Sequence, residues 1–323
     1  MKKMKDYKPI PNKKYKVLPS KKHFISIECL WALNDGRLAV GGNKKLVVFN
    51  MKTYKVDIEI KSKYLGSVKF ISQLNDGKLF YYERYHSSEW AWEDDVHYNY
   101  LVELLENDYS DKTDILLEGS LYNILKQNSD DIIFGGINYK IKKHDKFYST
   151  NASGGKRIEK LVKKDEKYNM VACLNLNFID FVLLKNNKMA ILRKDKLEFY
   201  EIEEFKTCEK SVEFNEEPDT LSVFDDNFLL IGIDNKVQIY DYKNFKKVKS
   251  IFIPYTVKVI YVYQNKVYIA CESDIANEYE IDNNGNYKQI SSIPLQGKIV
   301  DDITVVKDGR LITSANDTIK IWR

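Results

Sequence analysis

Short apolar segments alternate with polar turns along the whole chain, and the same order of elements recurs. Each copy has an Asn, Asp or Gly turn, an apolar strand, a few polar residues and a second strand rich in Val, Ile, Tyr or Phe. The copies begin at Asn34, Asn75, Asp130, Asn187, Asp226, Asn265 and Asp308. Their apolar residues recur with the two-residue period of a strand and not with the period of a helix. The pattern therefore predicts an all-β chain built from repeats.

The spacing of the copies predicts a ring of sheets. The first apolar residues of the copies are Leu38, Leu79, Ile132, Met189, Phe228, Val267 and Leu311. Several of these steps are about 40 residues long, which is the period of a four-stranded propeller blade. We therefore expect one domain over residues 1–323, folded as a seven-bladed β-propeller.

The two ends of the chain are predicted to meet. The last copy stops at the end of a third strand, Ile321-Trp322-Arg323, so its sheet lacks a fourth strand. A short β-like segment, Tyr15–Leu18, precedes the first copy. Pairing this segment with the last strand would close the ring, because an open propeller leaves sheet faces and edges uncovered. Residues 1–14 are interpreted as a basic, solvated tail, and a role at an acidic partner or a membrane surface stays open.

The carboxyl-terminal segment LITSANDTIKIW, Leu311–Trp322, resembles the WD40 repeat, whose pattern is a small-residue run, an Asp and Thr-Ile-Lys-Ile-Trp. His23 stands near the place of the family's Gly-His pair, ahead of Asp35. Among the third strands only Trp322 supplies the family's tryptophan, and other copies have Phe49, Tyr200 or Tyr240. The resemblance implies a WD40-like ring in which the family's Asp-His-Ser/Thr-Trp network is incomplete in every blade.

A first insertion is predicted at about residues 83–97, between the second and third strands of its copy. It contains two of the four tryptophans beside several acidic residues. Exposed aromatic side chains are enriched at binding hot spots, so we expect Tyr85, His86, Trp90 and Trp92 to contact a partner. The alternative is a long hairpin whose tryptophans fold back onto their own blade.

A second insertion is predicted at about residues 145–168, between the third and fourth strands and thus on the opposite face of the ring. Its residues 157–167 fit a short helix or a loop equally well. The fragment Gly154-Gly155-Lys156 lacks the first glycine and the Ser/Thr of a phosphate-binding loop, so no nucleotide site is predicted.

Residues that commonly act in catalysis or in metal binding are sparse in this chain. The chain has only four histidines and no nucleophile, zinc or metalloprotease motif, so we predict no catalytic residues, no metal site and no cofactor. His86 and His97 flank carboxylates, but their spacing matches no zinc pattern. The acidic pair Asp301 and Asp302 lies on an inner strand and is interpreted as structural.

Composition narrows the functional classes. A net charge of +4, dispersed along the chain, does not favour nucleic acid as a partner. The chain shows no secretory signal and no apolar run of membrane-spanning length, so we expect an intracellular, soluble protein. The resemblance implies a non-catalytic scaffold that binds other proteins or peptides through propeller loops. An enzyme or small-ligand binder that uses the central channel is the alternative, and a subunit of a larger complex is a third possibility.

Overall fold

The alternating apolar segments form β-strands throughout the part of the chain that a computed structural model describes. The described residues are 15–18, 23–62, 66–73, 77, 79–86, 97–104, 112–128, 131–143, 146–148, 156–164, 167–185, 187–273, 275–295 and 300–322. No helix is present among them. The prediction of an all-β chain is confirmed for these residues.

The first fourteen strands are β1 Tyr15–Leu18, β2 Ile27–Ala32, β3 Leu38–Gly42, β4 Lys45–Phe49, β5 Val56–Lys61, β6 Ser67–Gln73, β7 Leu79–His86, β8 His97–Leu104, β9 Lys112–Asn128, β10 Asp131–Lys143, β11 Lys146–Tyr148, β12 Lys156–Lys164, β13 Lys167–Asn175 and β14 Asp180–Leu184. The remaining strands are β15 Lys188–Leu192, β16 Lys196–Glu201, β17 Lys206–Glu213, β18 Thr220–Val223, β19 Phe228–Ile233, β20 Lys236–Asp241, β21 Lys246–Phe252, β22 Val257–Tyr263, β23 Lys266–Cys271, β24 Ile275–Ile281, β25 Tyr287–Pro294, β26 Asp302–Val305, β27 Leu311–Ala315 and β28 Thr318–Trp322.

Consecutive strands pair into four-stranded antiparallel units. Four units are separate sheets, formed by β2–β5, β14–β17, β18–β21 and β22–β25. We call the successive strands of a unit a, b, c and d. Strand b of the β18–β21 unit is buried at all six positions, whereas its strand d is largely exposed. This difference arises because the b strands pack between neighbouring sheets while the d strands lie at the outer edge.

The last unit takes its fourth strand from the amino end of the chain. β26, β27 and β28 pair in order, and β1 pairs antiparallel with β28, with Tyr15 opposite Trp322 and Leu18 opposite Ile319. The Leu18 side chain is fully buried in a cluster with residues of the last unit and the β2–β5 unit. The predicted pairing of Tyr15–Leu18 with the last strand is therefore present.

Two further units share one long strand. β6 to β13 form an eight-stranded sheet in which β9 is 17 residues long. Residues 112–118 of β9 pair with β8 as strand d of the unit that begins with β6. Residues 117–128 pair with β10 as strand a of the next unit, whose strands c and d are β12 and β13.

This sheet corrects the prediction for residues 145–168. Within that range Lys156–Lys164 is strand c, so the expected helix or loop at this segment is wrong. β10 runs without a turn through residues 137–140, and β12 pairs with its first half from Asp131 to Ile137. The extra residues therefore lie between strands b and c, and not between c and d on the opposite face.

The first strands of neighbouring units lie against one another. The contacting pairs of inner strands are β2 with β6, β6 with β9, β9 with β14, β14 with β18, β18 with β22, β22 with β26 and β26 with β2. Buried apolar side chains fill the space between facing sheets, as Leu221 and Leu229 do against Leu192 and Phe199. Such burial stabilises the folded chain by about 25 cal/mol for each Å² of apolar area that is removed from water. The arrangement is consistent with a β-propeller.

The turns between strands c and d share a feature that the sequence pattern did not reveal. Tyr54, Phe205 and Phe245 each precede strand d with φ of 61°, 50° and 54°. Bulky side chains are rare in this left-handed region. The corresponding turn of the β22–β25 unit has Gly285 at φ 74°, where an added Cβ would lie 2.9 Å from Val248 of the preceding unit. Each of these turns approaches the neighbouring sheet closely.

Candidate functional site

Hairpin extensions on two neighbouring units lie on the same face of the molecule. In an antiparallel unit, the b–c turns and the connections from strand d to the next unit lie at one end of the strands, which we call the b–c face. β7 and β8 continue their pairing past β6, whose last partner is Arg84, out to the pair His86 and His97. Tyr85 is the register partner of Tyr98 in this extension.

Tyr85 and His86 therefore lie in the regular stem of a hairpin, and the expected loop begins after them. Trp90 and Trp92 belong to residues 87–96, which lie outside the described part of the chain. The partner contact predicted for these four residues stays a prediction.

The neighbouring unit extends a second hairpin at this face. β10 continues beyond its pairing with β12 and pairs with β11 instead, with Ile141 opposite Tyr148. The a–b and c–d turns lie at the other end of the strands. The extra residues of two adjacent units thus project from one sector of the b–c face.

A surface cavity of about 820 Å³ lies on the same face beside the β14–β17 unit. Its lining comes from the connection before β14, the turn between β15 and β16 and the connection after β17. The apolar part of the lining comprises Phe178, Ile179 and Phe214. The acidic part comprises Asp195, Glu216 and Glu217. Clefts of this size hold small ligands or the side chains of a bound peptide.

The basic side chains beside this cavity are held in ion pairs. Glu198 binds Lys196 at 2.6 Å and Arg193 at 3.1 Å, and Lys194 lies 3.2 Å from Glu217. Burial alone would raise the pKa of Glu198, but the bonds to Lys196 and Arg193 lower it below its ordinary value. The site therefore presents charged side chains around an apolar surface, which suits binding. Within the described residues, no group of three or more His, Cys, Asp or Glu side chains is placed to hold a metal ion.

The acidic residue Asp302 links two inner strands. Its carboxylate accepts hydrogen bonds of 2.8 Å from the backbone N–H of Ile303 and from Leu30 on β2 of the neighbouring unit. Asp180 has the same role at the start of β14, where it accepts bonds from Phe181 and from Leu221 on β18. The structural interpretation of Asp302 thus agrees with a contact that occurs between two different pairs of units.

Asp301 has a separate role. Its Oδ2 accepts a hydrogen bond of 2.5 Å from the N–H of Asn316, in the b–c turn of its own unit. Burial, with a smaller contribution from the charge of Asp301, raises the pKa of Asp302 to about 7 against the effect of its two N–H donors. Asp302 therefore joins two neighbouring units, whereas Asp301 holds the b–c turn of its own unit.

The residues that carry the WD40 resemblance form only part of the network that the resemblance implies. Trp322 Nε1 donates a 3.0 Å hydrogen bond to Thr313 Oγ1, which is the tryptophan link of the network. His23 Nδ1 lies 3.2 Å from Glu59, whereas the carboxylate of Asp35 binds Arg37. At the boundary between the last unit and the β2–β5 unit, the bridging contacts come from a guanidinium and not from a histidine.

That guanidinium belongs to Arg310. It donates bonds of 2.8 Å to Tyr54 Oη and to the Met51 carbonyl, both in the c–d turn of the β2–β5 unit. Asp308 binds the same guanidinium, and this bond raises the pKa of Arg310 above its ordinary value. The Lys16 ammonium of β1 lies 3.7 Å from the centre of the Tyr54 ring. This cross-unit cluster carried no recognisable sequence signal.

Comparison with known proteins shows similarity of fold. No protein-family model and no curated protein sequence matches the chain. The chain is similar to a chain of the mitotic checkpoint complex with a TM-score of 0.68, at 12% identity over 100% of this chain and 95% of the other. It is also similar to the computationally designed Ika8 protein with a TM-score of 0.62, at 12% identity over 93% and 96% of the two chains. At this identity the similarity shows the fold alone.

A search of the described residues for membrane-crossing helices found none of sufficient length and apolar character.

Proposed function

We propose that the chain is a closed, seven-bladed, WD40-like propeller and that β1 closes the ring. The unbroken series of contacts between inner strands supports this proposal, since it returns from β26 to β2. The pairing of β1 with β28 and the Trp322–Thr313 bond support it as well. In this account the eight-stranded sheet is two blades that share β9.

We further propose that this ring is a non-catalytic scaffold that binds other proteins or peptides on its b–c face. One observation carries the proposal: two adjacent units extend hairpins from the same face, next to the unit that bears the cavity. Extra structure in repeat folds is commonly placed on the binding face. One structural neighbour comes from a multi-protein complex, and the proposal extends that kind of role to the present chain.

The proposed contact residues are Tyr85 and His86 in the hairpin stem and Trp90 and Trp92 in the segment that joins β7 to β8. A tryptophan buries a large area on binding and loses little side-chain entropy, so a few such residues can dominate an interface. The apolar side chains of the cavity offer a second anchoring point for the same partner.

The experiment is affinity purification of the tagged full chain from its native cells, with co-purified proteins identified by mass spectrometry. The double variant Trp90→Ala/Trp92→Ala is expected to lose the specific partners while its melting temperature stays that of the wild type. The matched control is Tyr287→Ala, which removes an aromatic side chain that is 39% exposed at the start of β25, next to a c–d turn and thus on the opposite face. This control should keep the partners.

If the double variant retained the same partners, the β7–β8 hairpin would not be part of the interface. Loss of the partners in the Tyr287→Ala control would place the interface on the face of the c–d turns.

A further inference from the structure

Two aromatic side chains are exposed on the b–c face where β21 leads into β22. Phe252 near the end of β21 is 73% exposed, and Tyr255 in the following connection is 48% exposed. Both lie beside the b–c turn of the β18–β21 unit, because Phe252 is the register partner of Lys236 and the N–H of Ile253 donates a 2.9 Å hydrogen bond to the Asn235 carbonyl. Large apolar side chains exposed together are typical of an interaction surface.

The same turn links these aromatic residues to the cavity beside the β14–β17 unit. Lys236 binds Glu216, which lines the cavity. The N–H of Asp234 donates a 3.3 Å hydrogen bond to Asp219, in the connection that contributes to the cavity wall. One surface therefore runs from the cavity across the turn to the aromatic pair. We call it the turn surface, and its members are Asp195, Phe214, Asp219, Asp234, Phe252 and Tyr255.

The charges along the turn surface are unbalanced. The basic residues beside it are already ion-paired, in the pairs Arg193–Glu198, Lys194–Glu217 and Lys236–Glu216. Asp195, Asp219 and Asp234 are exposed, and within the described chain no lysine or arginine lies at ion-pair distance from them. The chain as a whole has a net charge of +4, so this excess of acid is local. A local negative potential attracts cationic partners and repels acidic ones.

We propose that the turn surface binds a basic peptide segment of a partner protein. Lysine or arginine side chains of the segment pair with the three aspartates and stack on the exposed aromatic rings, whose faces attract cations. An apolar side chain of the segment enters the cavity against Phe214. This inference rests on the proposed scaffold function and names the chemistry of the partner.

The test begins with random peptides of about twelve residues, displayed on phage and selected against the immobilised full chain. The selected peptides are expected to combine Lys or Arg with Leu, Ile, Phe or Trp. An enriched set without an excess of basic residues, or no enrichment at all, would overturn the proposal.

Fluorescence anisotropy of the most enriched peptide then locates the site. Asp195→Asn/Asp234→Asn should weaken binding by about fivefold through the loss of two charges, and asparagine suits the positive φ of 47° at position 234. Phe252→Ala should weaken binding by about fivefold or more. The matched controls are Asp57→Asn and Tyr287→Ala, which change exposed residues near the starts of β5 and β25, at the c–d turns. Both controls should bind as the wild type does.

Unchanged affinity in the aspartate and Phe252 variants would refute the assignment to the turn surface. Sedimentation velocity tests the other occupant: a wild-type dimer that Phe252→Ala dissociates would mean that a second copy covers this surface, which would also overturn the proposal. The Trp90→Ala/Trp92→Ala variant should bind the peptide as the wild type does. If that variant lost its cellular partners while no basic peptide was selected, the scaffold function would stand and the present inference would fail.

Discussion

Two buried tyrosines differ in whether their hydroxyl groups are hydrogen-bonded. Tyr240 lies on strand c at the position that Trp322 has in the last unit, and its Oη is buried without a hydrogen-bond partner among the residues that the structure describes. Burial, with a smaller effect of Asp241, raises the pKa of Tyr240 to about 12. Tyr268 Oη lies 3.4 Å from the fully buried carboxylate of Glu278. The same Tyr→Phe change should therefore have opposite effects at the two positions.

We expect Tyr240→Phe to leave the free energy of unfolding unchanged or to raise it by up to about 1 kcal/mol, because a desolvated hydroxyl is removed. Tyr268→Phe should lower it by about 1 kcal/mol, because a buried carboxylate loses a donor. Urea unfolding of both variants measures the difference. Equal losses in the two variants would contradict the assigned hydrogen bonding.

Asp302 makes stability depend on pH. Its carboxyl has a pKa of about 7 in the folded chain, against an ordinary value of 3.8. The folded state therefore holds this proton between the two values, so the contribution is fully present at low pH and is lost as the pH rises through about 7. Because the carboxyl is half-buried, we expect a loss on the order of 2 kcal/mol. The free energy of unfolding of Asp302→Asn, measured by chemical unfolding at several pH values, should not show this fall with rising pH. If wild type and variant showed the same dependence on pH, the assignment to Asp302 would be refuted.

At the scale of the elements, the c–d turns join neighbouring sheets through strained residues. The Phe245 ring packs against Phe199 of the preceding unit with ring centres 5.2 Å apart. In this arrangement the backbone of Phe245 has a positive φ. Tyr54 makes the corresponding approach with Arg310. The left-handed conformation costs a side-chain-bearing residue roughly 1–2 kcal/mol, which the packing offsets.

This account predicts an unusual order of stability at position 245. Phe245→Ala loses the packing and keeps the strain, so we expect a loss of about 3 kcal/mol. Phe245→Gly loses the same packing but relieves the strain, so it should be about 1 kcal/mol more stable than the alanine variant. Thermal unfolding compares the two variants. A glycine variant less stable than the alanine variant would show that strain is absent.

Strands with regular alternation and good turn residues could be predicted from the sequence. The β18–β21 unit follows its pattern, with Asp225 accepting bonds from the N–H groups of Asn227 and Phe228 in its a–b turn. The segment at 145–168 was misjudged because its charged residues and the spacing of Ile158 and Leu161 also suit a helix. Pairing with β10 and β13 makes this segment a strand, and such tertiary contacts leave no signal in the local sequence.

At the scale of the whole molecule, the pairing of β1 with β28 could be predicted because the last copy lacks a fourth strand and a spare β-like segment precedes the first copy. The candidate site was visible only in part. Insertion length identified the b–c hairpin of β7 and β8, but the cavity depends on three separate connections that come together only in the folded chain. The Arg310–Tyr54 contact joins residues 256 positions apart and depends on how the last unit packs against the β2–β5 unit.

The central claim is that β1 closes the ring, and thermal unfolding of two truncated chains tests it most directly. Deletion of residues 1–22 removes β1 and the buried Leu18, whereas deletion of residues 1–14 leaves the strand in place. We expect the first deletion to lower the Tm of the whole domain in one cooperative transition, and the second to match the full-length chain. Equal Tm values for all three chains would contradict closure by β1.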